Sequence, residues 1–157
     1  MKRETALMQQ DISESSVHKK HKPMRVLLIV AEDALRECIL HCLRQEGFRI
    51  EVAFTGEQVL SQAQTLLPDL FLLEERLPDL SGLDLCRQLR SNPLTSHLPI
   101  LIVSEKDDIR DRILGLEAGA DDYLTWQSLE TDEFVKRIRV ALREVANIIH
   151  HEVKIVD

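Results

Sequence analysis

Positive charge is in short supply in this chain: 20 lysines and arginines face 27 aspartates and glutamates, for a formal net charge of -7 over 157 residues. A folded body with that balance has no bulk electrostatic reason to seek DNA or an anionic lipid surface, so neither direct nucleic-acid binding nor membrane attachment is expected. Cysteine is scarce as well. Cys38, Cys42 and Cys86 form an odd set without the short paired spacings of metal knuckles, and all three lie in apolar-periodic segments, where reduced, buried thiols are expected. Missing too are an apolar run long enough to span a bilayer and an apolar stretch behind Met1, Lys2 and Arg3 that would read as a secretory signal. A cytoplasmic location is the resulting expectation.

What is present is a regular alternation. Residues 1–23 are polar, with Ser13, Ser15 and Ser16 followed by His18, Lys19, Lys20, His21 and Lys22, and read as a flexible tail whose charges are solvated. From Arg25 the pattern changes. Val26 to Val30 is a continuous apolar run of the kind seen when a strand is buried on both faces. Leu35, Cys38, Ile39, Cys42 and Leu43 then repeat at helical spacing and stop at Gly47. Further strands read at 49–54, 70–73, 99–103 and 122–125. Helices read at 55–66, opened by a capping box at Thr55 to Gln58, at 81–90, and at 107–118 with Ile109, Ile113 and Leu116 on one face. Phe134, Ile138, Ala141 and Val145 make a last apolar stripe. Five strand–helix units in a row imply one doubly wound parallel sheet covered on both faces. With right-handed crossovers this predicts a flavodoxin-like (βα)5 α/β domain of strand order 2-1-3-4-5 over residues 24–146. Residues 147–157 read as a C-terminal tail or an extension of the fifth helix.

Three strings in this frame carry a resemblance. Leu72-Leu-Glu-Glu-Arg-Leu-Pro-Asp-Leu-Ser-Gly82, Pro99-Ile-Leu-Ile-Val-Ser104 and Gly115-Leu-Glu-Ala-Gly-Ala-Asp-Asp-Tyr-Leu-Thr125 resemble the phosphoacceptor strand and loop, the fourth strand and the fifth-strand approach of response regulator receiver domains, the modules of two-component phosphorelay signalling. A working receiver uses an aspartate as nucleophile, two acidic residues after the first strand to help hold magnesium, a strand-four hydroxyl and a lysine after strand five. The resemblance puts Glu74 where the family has its phosphoacceptor aspartate. It puts Val30 and Ala31 where it has the acidic pair, with Glu32 just after, and Trp126 where it has the lysine. Only Ser104 fits its expected role, with Tyr123 as the accompanying switch aromatic. Gln127 replaces the proline that follows the lysine, so a trans, rearranged loop is expected.

These departures predict a pseudo-receiver with no catalytic residue, metal or cofactor. Two readings of Glu74 stand side by side: a built-in mimic of the phosphorylated state, its carboxylate reaching Ser104 and holding Tyr123 inward, or a solvated acid at a strand end. Trp126 is expected to cover the vacated pocket, with a partner surface as the alternative. In receivers of the winged-helix transcription factor subfamily, the fourth helix, fifth strand and fifth helix form a two-fold dimer face. The resemblance suggests Arg112 facing Glu133 of a second copy, and Asp122 facing Arg137 of a second copy. The expected function is signal transduction or transcription regulation through contacts with a histidine kinase, another response regulator or a transcription component. The alternatives are a phosphorylatable receiver using a shifted acidic site, with Glu32 and Asp33 moved into the pair, or the regulatory domain of a DNA-binding regulator whose effector domain is absent.

Overall fold

A computed structural model of the protein describes residues 22–143. Most of the predicted 1–23 tail, Val145, the His150–His151 pair and the 147–157 extension lie outside the described residues. Within them the chain alternates as β1 (Arg25–Ile29), α1 (Asp33–Gln45), β2 (Arg49–Ala53), α2 (Gly56–Leu66), β3 (Leu70–Glu74), α3 (Gly82–Ser91), β4 (Ile100–Ser104), α4 (Ile109–Glu117) and β5 (Asp122–Thr125). A 3-10 turn (Trp126–Glu130) then leads into α5, helical over 133–143. The strands pair in parallel in the order β2-β1-β3-β4-β5, the arrangement the alternation predicts.

Side chains on a strand alternate between the two faces of a sheet, so each strand's parity decides which helices it meets. Val26, Leu28, Leu70, Leu72, Leu101 and Val103 pack with Leu35, Ile39 and Leu43 of α1 and Phe134 and Ile138 of α5. Leu27, Ile29, Phe71, Leu73, Ile100, Ile102 and Tyr123 pack on the other face with Val59 and Ala63 of α2 and Leu85, Cys86 and Leu89 of α3. The central strands β3 and β4 are buried along their whole length, which is why they read as unbroken apolar runs.

Local chemistry sets the ends. After α1, the Phe48 and Gly47 N–H groups donate to the carbonyls of Leu43 and Arg44, a Schellman closure that Gly47 permits with φ of +85°. Thr55 Oγ1 accepts from the Gln58 N–H at 3.1 Å, but the Gln58 side chain accepts from the Phe54 N–H, one residue beyond the reciprocal bond a capping box makes. Ser81 caps α3 and Asp108 caps α4 in the same way.

The expected burial of the cysteines needs correction, and the apolar face of α4 needs placing. Ile109, Ile113 and Leu116 lie on one face of α4, which is turned to solvent at 71%, 47% and 44% exposure. The inward contact of α4 is made by Gly115, where an added Cβ would come within 2.9 Å of the Tyr123 ring. A helix that packs through a glycine shows its apolar stripe on the wrong side, and periodicity alone assigns it inward. Cys38 is exposed and Cys42 only half-buried, because Leu35, Ile39, Leu40 and Leu43 supply the buried face of α1. Only Cys86 is a core thiol, and burial pushes it up to about 11.

Candidate functional site: the carboxyl end of the central strands

The carboxyl ends of β1, β3, β4 and β5 converge on a small cleft of about 160 Å³ lined by Glu32, Glu74, Glu75, Arg76, Ser104, Lys106 and Trp126, among others. This is where ligands bind in open α/β sheets. β1 and β3 pair Ile29 with Leu73, so one step further along the ladder Val30 comes level with Glu74. Val30 thus stands beside the strand-three acid. Glu32 accepts the Ala34 and Leu35 N–H groups as the α1 cap, and Asp33 pairs with Arg36 on the surface.

Val30 is fully buried, and its carbonyl accepts from Arg36 Nη1 at 2.9 Å. Arg36 also lies over the Phe54 ring, 5.3 Å from its centroid. The guanidinium thus closes the loop after β1 from outside. Glu74, 8% exposed, turns toward the same loop: its Oε2 accepts the Ala31 N–H at 2.7 Å and, more weakly, the Glu32 N–H at 3.4 Å. Burial raises the Glu74 carboxyl above its usual range, and the Glu32 carboxylate adds to that. The two amide bonds and Arg36 act the other way without cancelling it.

The Glu74 carboxylate does not reach Ser104 or Tyr123. That expectation is corrected by sheet parity. Glu74 shares a face with Leu70 and Leu72, toward α1 and α5. Ser104 and Tyr123 lie on the opposite face, with Ile100 and Ile102. The register pairs Phe71 with Ile100 and Leu73 with Ile102, so the residue level with Ser104, and on its face, is Glu75. The ladder does continue that far, with the Glu75 N–H donating to the Val103 carbonyl at 3.2 Å.

Glu75 is the acid that engages Ser104 and Tyr123. Both Ser104 Oγ and the Tyr123 hydroxyl donate to Glu75 Oε2, each at 2.9 Å. The Lys106 N–H donates back to Ser104 Oγ at 3.1 Å. Tyr123 is 1% exposed, and its phenol is pushed up to about 12, by burial first and then by the hydrogen bond to Glu75 and its negative charge, against the lowering contribution of Ser104. Sequence reading missed Glu75. Parity counted across the β3–β4 register would have found it, and that register is not visible in a single strand.

After β5 there is no cis peptide bond among the described residues, and the chain passes from Thr125 directly into the 3-10 turn. Trp126 packs against the α1–α5 core and forms a side wall of the cleft without filling it. At the proposed dimer face the charges are satisfied within one chain. Arg137 spans Asp122 at 3.0 Å and Glu133 at 2.8 Å, and Arg112 pairs with Asp107 at 3.3 Å.

Residues 26–139 match the family profile of the response regulator receiver domain, and the chain belongs to that family. It is 40% identical over 120 residues to the transcriptional regulatory protein CreB of Escherichia coli, covering 76% of this chain and 51% of CreB. It is 41% identical over 132 residues to the alkaline phosphatase synthesis transcriptional regulatory protein SphR of Synechococcus elongatus, covering 78% of this chain and 50% of SphR. Its structure superposes on the BeF3-activated N-terminal receiver domain of Klebsiella pneumoniae RstA with a TM-score of 0.69 at 27% identity, covering 76% of this chain and 98% of that one. The chain spans about half the length of the curated relatives it matches. No helix among the described residues is long and apolar enough to cross a membrane.

The environment of Glu74 carries a prediction. A carboxyl raised by folding binds its proton more tightly in the native state, so its contribution to stability falls as pH rises from the ordinary carboxylate range through the raised value, and is constant above it. Glu74→Gln keeps an acceptor for the Ala31 and Glu32 amides and removes the buried charge. Urea unfolding should find the variant as stable as the parent or more so at neutral pH, with the gap narrowing in acid. A variant clearly less stable at neutral pH contradicts this account of the site.

Proposed function

We propose that this domain is a pseudo-receiver: a signalling module that works through protein contacts, independently of phosphorylation and without enzymatic activity. The single observation that carries the reading is the occupancy of the switch. Ser104 and Tyr123, the groups expected to follow a phosphoryl group, already donate to a carboxylate of the chain's own, Glu75. The surroundings of Glu74 support it. Magnesium requires near-octahedral oxygen coordination, and the acidic-pair positions hold Val30 and Ala31, whose side chains have no oxygen. Glu32 is committed to capping α1. With Trp126 in place of the lysine, charge developing on a transferring phosphoryl group at Glu74 would lack its usual neutralisation.

The output reading is contact with a histidine kinase, another response regulator or a transcription component, in keeping with the names of the relatives. A homodimer through α4, β5 and α5 is supported by the outward stripe of Ile109, Ile113 and Leu116, an apolar surface of the kind that marks interaction sites. The charges beside it, Arg112, Asp122, Glu133 and Arg137, act in this reading by shaping each copy's own face. Regulation of DNA binding through an effector domain on the same or another chain is compatible with the half-length match.

The test is intact-mass analysis after incubation with magnesium and acetyl phosphate. No phosphoryl adduct is expected on the wild-type chain or on Glu74→Asp, since restoring the nucleophile restores neither metal ligands nor the lysine. A magnesium-dependent adduct on the wild-type chain would overturn the reading.

A further inference from the structure

A second and larger cavity, about 580 Å³, opens along α1. It is a trench bounded on one side by Leu35, Cys38 and Cys42 and on the other by Trp126, Leu129 and Glu130. Its volume is that of sites that hold small organic molecules. Two features define what would fit. The walls are mainly apolar and include one large aromatic. The charged side chains that line it are the carboxylates of Glu32 and Glu130, beside the polar His41 and Gln45, with no lysine or arginine.

We infer that this trench is a binding site for a small aromatic or apolar molecule bearing one cationic group: the body lies against Leu35, Leu129 and the Trp126 ring, and the cation sits between the Trp126 face and the Glu130 carboxylate. An ammonium or guanidinium over an indole face is favoured by the ring quadrupole, and more so where water is partly excluded. An anionic ligand would meet two carboxylates with no counter-charge. Trp126 and Glu32 also line the cleft at the strand ends, so an occupant touches two walls of the switch pocket. The inference is independent of whether Glu74 accepts phosphate, and the two readings fail separately.

The chain supplies its own reporters, since Trp126 is its single tryptophan and Cys38 is an exposed thiol on the trench wall. The probe is phenethylammonium, compared with 2-phenylethanol and 3-phenylpropanoate. The expected result is a saturable change in Trp126 fluorescence in the roughly millimolar range proper to so small a ligand, with alkylation of Cys38 slowed several-fold at saturation. The neutral analogue should bind several-fold more weakly and the anion not measurably. Glu130→Gln, an exposed substitution, should weaken the cation several-fold and leave the neutral analogue unchanged. Cys38→Phe, checked for folding by circular dichroism, should fill the trench and abolish the fluorescence change.

Several results would overturn the inference. They are the absence of a saturable signal, equal binding of all three probes, or fluorescence change without protection of Cys38. It would equally be overturned if Cys38 were protected without probe and released by removing residues 144–157, which would give the trench to the chain's own C-terminal segment. Protection that grows with protein concentration would give it to a second copy.

Discussion

Replacing Glu75 with alanine should release Tyr123 and cost the domain about 2 kcal/mol. The substitution removes the acceptor for two hydroxyls, one of them buried within a packed face of the sheet, and an unsatisfied buried hydroxyl costs about 1–3 kcal/mol. Ser104 loses less, since its oxygen still accepts the Lys106 N–H. Glu75→Gln separates charge from hydrogen bonding: its amide oxygen can still accept, so most of the stability should return. The Tyr123 titration should not return with it. Tyr123 is the single tyrosine of the chain, so ultraviolet absorbance reads it alone. In the parent it should ionise near the value of about 12 that burial and Glu75 impose, and in Glu75→Gln it should move down.

The linked pH dependence has a definite sign. A phenol raised from about 10 when unfolded to about 12 in the fold gives a contribution present in full below pH 10. It is lost as pH climbs to 12, because the native state then holds protons the unfolded chain has released. The loss is on the order of 2–3 kcal/mol. Tyr123→Phe should flatten the alkaline limb. An unchanged limb would mean that Tyr123 is not held as described.

Gly82→Ala should be the most disruptive single methyl in the domain. A Cβ at Gly82 would overlap the Glu74 carbonyl oxygen and come within 3.0 Å of the Glu75 Cα, and the Gly82 N–H donates to the Glu75 carbonyl at 2.8 Å. The obstructing atoms are all backbone of Glu74 and Glu75, so no flexible side chain can give way. A loss of about 2–3 kcal/mol is expected from overpacking of this kind, together with displacement of the Glu75 carboxylate and a lowered Tyr123 titration. Gly47→Ala is the control. No atom lies within 4 Å of a Cβ there, so only the positive φ is at stake and about 1 kcal/mol is expected. Equal costs at the two glycines would refute the steric argument.

Much of this was legible in the sequence. Continuous apolar runs gave β1, β3 and β4 as buried strands, and the alternation with helices gave their order. The resemblance to receiver domains puts Glu74 where the family has its aspartate, and Val30 and Ala31 where it has the acidic pair. What escaped depends on relations between strands or on a missing side chain. Glu75 beside Ser104 follows from the register of β3 against β4. The outward stripe of α4 follows from Gly115 taking the inward contact, and Asp122 bonding Arg137 within one chain follows from how closely α5 lies against β5.

The central claim is that Glu75 sets the switch and phosphate does not. The most direct measurement is the NMR spectrum of the single tyrosine ring, with and without magnesium and beryllofluoride, in the parent and in Glu75→Ala. The account predicts ring signals of a buried tyrosine in the parent, unmoved by magnesium and beryllofluoride, and signals shifted toward an exposed ring in Glu75→Ala. A saturable, magnesium-dependent shift in the parent, or an identical buried ring in Glu75→Ala, would contradict it.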